Sequence, residues 1–435
     1  MIEFVTLILG LVTGSQSVEV SVGPEVSSVR FVLDGQTIGE LSGDPWRFDC
    51  DFGEELAPHE LVAIARDQEG HELARARQRI NLPRERAEAR IALEPGQGRG
   101  PPFARLIWQA LDYERPVEVN ATFDGRELPV TDPEHIELPS HRPENLHFLS
   151  AELVFSDRVE AHAELAFGGR FGDEVSTELT AVMALVKGKR RPKPKKMEGW
   201  FLKDGRPLRV VAVEKGPVDL LIVRVCSLAT RSKLWLVAQE RVGRTDWTER
   251  GSREVLGFKR RDRAIFVFPF ATKHAKTDLA TEMFPVSENM TSHGDLFQIL
   301  TTIFFPEEKR PPAEQLIADA VAVAGMAAAA GNHRRAVILL YSGEVADVSQ
   351  WQPEIVRGYL RKLRVPLFVW SLPADGVSPS AWGEEHDIST LANFRTGLYQ
   401  LKENLHSQVA VWVEGAHLPG EIKLAKQANG IRLLE

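Results

Sequence analysis

The sequence predicts a multidomain chain: two N-terminal all-β sandwiches, then an α/β domain with a doubly wound, Rossmann-like sheet. Three observations predict it. From Val18 to about Val186, short alternating runs recur with turn signals roughly every 8–12 residues. From about Leu208, apolar strands alternate with helical segments. Between these regions lies KGKRRPKPKK, Lys187 to Lys196, in which seven of ten residues are basic and two are proline.

The composition supports an ordinary globular chain. Its 435 residues are 43% hydrophobic and 26% charged, which excludes a disordered, collagen-like or polytopic membrane protein. The formal net charge is −8, so the chain as a whole is no generic polyanion binder. Two cysteines, Cys50 and Cys226, provide neither a disulfide framework nor the paired spacing of a structural zinc site.

At the N-terminus, Phe4 to Val12 reads FVTLILGLV, too short to span a bilayer as a helix. Ser15-Gln16-Ser17 follows, with small residues where a signal peptidase reads. Residues 1–17 are therefore expected to be a secretory signal, and the protein to be exported. The alternative is a buried first strand, because VTLIL is β-prone.

The first sandwich is expected over residues 18–83. Asp34-Gly35 is a two-residue hairpin signal. Leu61, Ala63 and Ala65 alternate and should face the core. The runs VRFVLDGQTIGELSGDPW and LAPHELVAIARDQEGHE resemble a bacterial immunoglobulin-like module. A second such domain is expected over 84–186, its strands including RPVEVNATFDGREL, NLHFLSAELVFSD and VSTELTAVMALV. There Asp124-Gly125 repeats the hairpin turn, and LHFLSAELVFSD parallels HELVAIARDQEG. The basic segment 187–199 is expected to be an extended, solvated linker. Its Lys187, Lys189, Arg190, Arg191, Lys193, Lys195 and Lys196 form a candidate contact for a polyanion or anionic surface, without interleaved aromatics for base stacking.

In the C-terminal half, LRVVAVE, VDLLIVRV, AIFVFPF, AVILLY and VPLFVWSL read as strands, and VAVWVEG, EIKLA and IRLL as closing strands. Ala313–Gly331, Pro353–Arg364 and Leu391–Gln408 read as helices. The run HRRAVILLYSGEVADVSQWQPEIVRGYLRKLRVPLFVWSL, preceded by GPVDLLIVRV, resembles the von Willebrand factor type A domain across about residues 200–435.

That resemblance implies a metal-ion-dependent adhesion site at the carboxyl ends of the strands, where hard oxygen ligands hold a divalent cation. The first-loop pattern D-x-S-x-S falls on Arg224-Val225-Cys226-Ser227-Leu228. The T-D-G-E pattern falls on Tyr341-Ser342-Gly343-Glu344, and the loop that should carry threonine on Pro306–Pro312. Arg224 and Ser342 thus stand where the family has aspartates. The expectation is a degenerate site that binds no metal and contacts a protein partner through Arg224, Cys226, Ser227, Ser342, Gly343 and Glu344. Arg224 would either replace the cation, held by Glu344 or the Pro306–Glu308 acids, or be a plain surface charge. Trp351 and Trp382 are candidate loop anchors.

No HExxH, GxSxG or P-loop motif occurs. Glu384-Glu385-His386-Asp387 reads as a solvated helix start with Asp387 or Ser389 as cap. The sequence therefore points to a non-enzymatic envelope interaction or scaffold protein without cofactor, nucleic-acid partner or membrane span. Its competitors are a docking subunit of an enzyme or secretion complex and a polyanion or glycan binder.

Overall fold

The computed structural model describes residues 1–8, 10–83, 87–94, 102–110, 113–156, 159–169, 175–176, 178–188, 191–225, 227–242, 257–270, 276–277, 284–294, 296–302, 312–342, 345–372 and 381–435. The first unit is a sandwich of two antiparallel sheets. One holds Ile2–Phe4, Ser15–Val22 and Arg47–Asp51; the other holds Gln36–Leu41, Ser28–Leu33, His59–Arg66 and Glu72–Ile80. Leu61, Ala63 and Ala65 are fully buried between them with Val18, Val29 and Phe31, as their alternation predicts. Ile2–Phe4 pairs with Val20–Val22, and Ser15-Gln16-Ser17 lies inside a strand opposite Asp49–Asp51.

The second sandwich pairs the sheet Arg126–Leu128, Glu118–Phe123, His147–Val154, Glu160–Phe167 and Val175–Ser176 with the sheet Ile136–Glu137, Phe103–Ala110 and Ala87–Glu94. Both modules use one device at the hairpin. Asp34 and Asp124 adopt φ of 50° and 51°, followed by glycines at 79° and 72°, the handedness a two-residue hairpin requires. Each aspartate then reaches across to the next long strand. Asp34 accepts from Glu60 N at 2.8 Å and lies 2.6 Å from His59 Nδ1. Asp124 accepts from Phe148 N at 3.0 Å and lies 2.9 Å from His147 Nδ1. The parallel between the two modules is therefore physical: turn and strand start are tied by the same Asp–His contact.

The strand Leu179–Val186 corrects the expected boundary. It lies outside the second sandwich, in a third sheet ordered Val210–Glu214, Gln408–Glu414, Leu179–Val186, Ile431–Leu433. The run LRVVAVE and the closing strands VAVWVEG and IRLL belong to this sheet too, and not to the α/β sheet. The reason is two-sided burial: Val182 and Ala184 face one apolar cluster and Met183 and Leu185 another. A half-solvated sandwich strand would expose every second residue.

The basic segment is also more structured than a linker. Pro194–Met197 forms a 3₁₀ turn anchored by the buried Met197. Lys187, Arg191, Lys193, Lys195 and Lys196 are exposed; Lys189 and Arg190 lie outside the described residues.

The α/β unit carries a seven-stranded sheet ordered Lys276–Thr277, Pro285–Val286, Arg263–Val267, Val218–Arg224, Arg334–Tyr341, Leu367–Ser371, Glu385–Asp387. The last five are mutually parallel, and Pro285–Val286 runs antiparallel to both of its neighbours. Along Val218–Arg224, Leu220 and Ile222 pack under helices Leu228–Val242, Leu296–Thr302 and Leu391–Ser407. Leu221 and Val223 pack under Ile317–Ala328 and Pro353–Lys362. Helices thus cover both faces. Glu385–Asp387 is an edge strand rather than a helix start; the following helix is capped by Thr390, whose hydroxyl accepts from Asn393 N. Among the described residues no helix is long and apolar enough to cross a membrane.

The units bury surface against each other. Leu56 of the first sandwich lies in the core beneath Ile317–Ala328, and Tyr359 Oη donates to Asn81 O at 2.7 Å. The second sandwich meets the α/β sheet through a set of buried charges described below.

Candidate functional site at the strand ends

Arg224 closes the central strand, directly opposite Leu340, and Val225 N donates to Leu340 O at 3.0 Å. Ser342 follows the neighbouring strand. The two sequence-predicted positions are therefore side by side at the carboxyl edge of adjacent parallel strands. Their exposure differs from expectation. Arg224 is only 2% exposed, and its guanidinium carbon lies 5.7 Å from the centre of the Phe266 ring. It is neither a surface charge nor a solvent-facing fork; a desolvated cation over an aromatic face is held electrostatically. Ser342 is buried, and its hydroxyl has no hydrogen-bond partner among the described residues. Ser227 serves the helix that follows: its Oγ accepts from Thr230 N at 2.9 Å, an N-cap contact. Cys226, Gly343, Glu344 and residues 306–311 lie outside the described residues.

Beyond Ser342 the chain is tied to the start of helix Ile317–Ala328. Asp347 accepts from Ile317 N at 3.0 Å and Ala318 N at 3.2 Å, placing a carboxylate at the positive end of the helix dipole. Asp319 returns the contact by accepting from Gln350 N and Trp351 N, both at 3.1 Å. This loop leaves Val348 and Leu316 exposed beside the strand ends. Trp351 is half-buried and Trp382 is buried, so Trp382 is core and not a surface anchor.

Chemically, this edge offers a buried cation where a divalent ion would need an acidic ligand. Arg224→Ala removes a large packed side chain and its contact with Phe266. We expect it to cost about 2–4 kcal/mol of stability, read as a lower urea midpoint. An unchanged midpoint would show that the guanidinium is not part of the packed core.

The opposite edge of the sheet holds a constellation that sequence reasoning missed. Arg263, Asp219 and Arg335 form one row across three adjacent parallel strands. Asp219 Oδ1 is 3.1 Å from Arg263 Nε, and Asp219 Oδ2 is 3.2 Å from His333 Nδ1. The second sandwich contributes Glu152, which pairs with Arg261 and lies 3.7 Å from His333 Nε2. It also contributes Glu160, 3.1 Å from Arg263 Nη1, and His162, whose ring meets His333 edge-on at 5.7 Å.

Burial penalises the charged forms of Asp219, Glu152, Glu160, His162 and His333, and the partners decide the outcome. Burial pushes Asp219 up, but Arg263 and His333 outweigh it and hold the carboxyl well below the usual range. Burial likewise opposes a low value at Glu152, yet His333 and Arg261 bring it down to about 2. For His333 burial favours the neutral ring, but Asp219 and Glu152 raise it to about 10. His162 is lowered to about 4, first by burial and then by His333. Glu160 is raised, mainly by burial. In the sequence, Asp219 and His333-Arg334-Arg335 simply precede apolar strands and read as surface ends. The docking of the second sandwich covers His333 through Glu152 and His162, whereas Arg334 is held inside the α/β unit by Gly216 O and Leu405 O.

No family model matches the chain, and no curated protein matches it. Solved structures do. The fibronectin(III)-like modules of Clostridium thermocellum CbhA are 20% identical, covering 18% of this chain and 93% of theirs, with a TM-score of 0.17. The central fibronectin-III array of RIM-binding protein is 11% identical, covering 45% and 81%, with a TM-score of 0.21. A bacterial ice-binding adhesin is 12% identical, covering 46% and 75%, with a TM-score of 0.15.

Proposed function

We propose that this chain is a non-enzymatic protein-interaction or scaffold protein of the cell envelope, in which a degenerate von Willebrand A-type domain is braced by immunoglobulin-like modules. The observation that carries the reading is the position of Arg224 and Ser342. Leaving out the two-residue edge strand Lys276–Thr277, the six remaining strands lie in the chain order third, second, first, fourth, fifth, sixth. In a sheet of that order the crevice between the first and fourth strands is the usual binding edge. Arg224 ends the first of those strands and Ser342 directly follows the other. A guanidinium and a hydroxyl replace two carboxylates there, which removes the acidic ligands a hard cation needs. Partner contact then falls to the loop that holds Val348 and Trp351, with Leu316 at the start of the neighbouring helix.

Calorimetry of the whole chain with Mg²⁺ and Mn²⁺ should give no saturable heat, and the thermal midpoint should not move. A saturable micromolar site for either ion would overturn the metal-free reading. Capture from native envelope extract should fail for a Val348→Asp variant if this loop is the contact; undiminished capture would move the interface elsewhere.

Export rests on the sequence of Phe4–Val12 and Ser15-Gln16-Ser17 alone; the pairing of Ile2–Phe4 with Val20–Val22 and of Ser15–Ser17 with Asp49–Asp51 supports the alternative of a structural first strand. A second reading, polyanion binding, is favoured by the exposure of Lys187, Arg191, Lys193, Lys195 and Lys196. Retention on heparin that falls steeply with salt would favour it over the strand-end loop.

A further inference from the structure

In the buried row at the sheet's amino edge, the guanidinium of Arg335 makes no hydrogen bond or ion pair among the described residues, and the Asp219 carboxylate acts on it only through space. Arg335 is 5% exposed. Its backbone is fixed by Gln408, which accepts from Arg335 N at 2.7 Å and donates to Arg335 O at 2.9 Å. Arg335 Nε is buried without a hydrogen-bond partner among the described residues. The neighbouring carboxylates are engaged elsewhere. Asp219, its cross-strand neighbour, is taken by Arg263 and His333, and Glu160 by Arg263.

Arg335 lines a cavity of about 510 Å³ where four units converge. The first sandwich lends the Asp34-Gly35 hairpin, the second lends Glu160 to Glu164, the third sheet lends Thr180 and Trp412, and the α/β unit lends the ends of two helices. Arg364 and His417 line the same cavity, and Arg364 Nε and His417 Nδ1 are likewise buried without hydrogen-bond partners. An arginine cannot shed its proton to escape burial. The cavity lining carries six arginine and lysine side chains against five carboxylates, and burial drives one of those, Glu160, toward its neutral form. The site is short of negative charge, and the cavity has room for it.

We propose that this cavity binds a small oxyanion, of the phosphate or carboxylate class, through the guanidinium of Arg335. A planar donor fork suits either class bidentately. Because the cavity wall is drawn from all four units, the bound anion would fix their mutual placement. This site is independent of the strand-end loop and of its partner.

The test uses the whole chain. Thermal unfolding is followed against inorganic phosphate and against succinate, with chloride at matched ionic strength as the reference. We expect a saturable rise in the midpoint with one class of anion, and the class that acts identifies the ligand chemistry. Calorimetry should show binding weakened about tenfold or more in Arg335→Lys, which keeps the charge but loses the fork. Arg335→Gln should abolish binding, with folding of both variants checked by circular dichroism. If Arg335→Gln does not fold, Arg335→Lys and the wild-type titrations decide. No saturable effect from either anion, or equal binding by wild type and Arg335→Lys, would overturn the proposal.

Discussion

Asp219→Ala is expected to lower stability by about 3–5 kcal/mol, the cost of leaving buried charges without their counterion. The variant would take the Asp219 carboxylate from Arg263 and His333, which Glu160 and Glu152 still face. Because Glu152 and Glu160 belong to the second sandwich, the loss should also loosen the docking of that module. Urea unfolding followed by tryptophan fluorescence reads the first effect. Proteolysis between the units reads the second. A change below about 1 kcal/mol, within the range of ordinary surface substitutions, would mean that the cluster is solvated in solution.

Stability should also fall on the alkaline side through one residue. His333 is raised to about 10 in the fold, against 6.5 for the free side chain. Between those values the folded chain keeps a proton that the unfolded chain has released, so unfolding becomes easier as pH rises. The contribution is complete below about pH 6.5 and gone once pH passes about 10. On the acid side the signs reverse. His162, lowered to about 4, is neutral in the fold, so stability is lost as pH drops from 6.5 toward 4. Glu152, lowered to about 2, adds a loss from 4.5 downward. The groups facing His333 from the packed elements are Asp219, Glu152, His162 and Arg263. Thermal midpoints from pH 4 to 10 should therefore peak near neutrality. His333→Gln should flatten the alkaline limb relative to wild type, and an unchanged alkaline limb in that variant would refute the assignment.

What was legible in the sequence was local. Asp34-Gly35 and Asp124-Gly125 announce hairpins because two consecutive positive φ angles are cheapest for those residues. Leu61, Ala63 and Ala65 betray a core face by their period. The helices Ile317–Ala328, Pro353–Lys362 and Leu391–Ser407 were readable from alanine content, an N-terminal proline and apolar spacing. What failed was partnership. Leu179–Val186, Val210–Glu214 and Gln408–Glu414 look like any buried strand, and nothing in their composition says that they pair with one another. The helix Leu228–Val242 is rich in polar residues and gave little amphipathic signal. Arg224 was located correctly as a strand end, but its burial over Phe266 depends on a residue some forty positions away. The Asp219 cluster was invisible because half of it belongs to another module.

The third sheet has a consequence for synthesis. Thr180 Oγ1 donates to Gly415 O at 2.7 Å, across 235 residues of chain. At ribosomal rates of about 5–20 residues per second, the strand Leu179–Val186 must wait roughly 10–50 s before its partner exists. During that interval an apolar strand with both faces and both edges open is a template for wrong pairing. The two sandwiches can close while the nascent chain grows; this strand cannot. Chains truncated anywhere between Val186 and Gln408 should therefore aggregate even though their sandwiches are complete, and binding by a chaperone that recognises extended apolar segments should concentrate on Leu179–Val186.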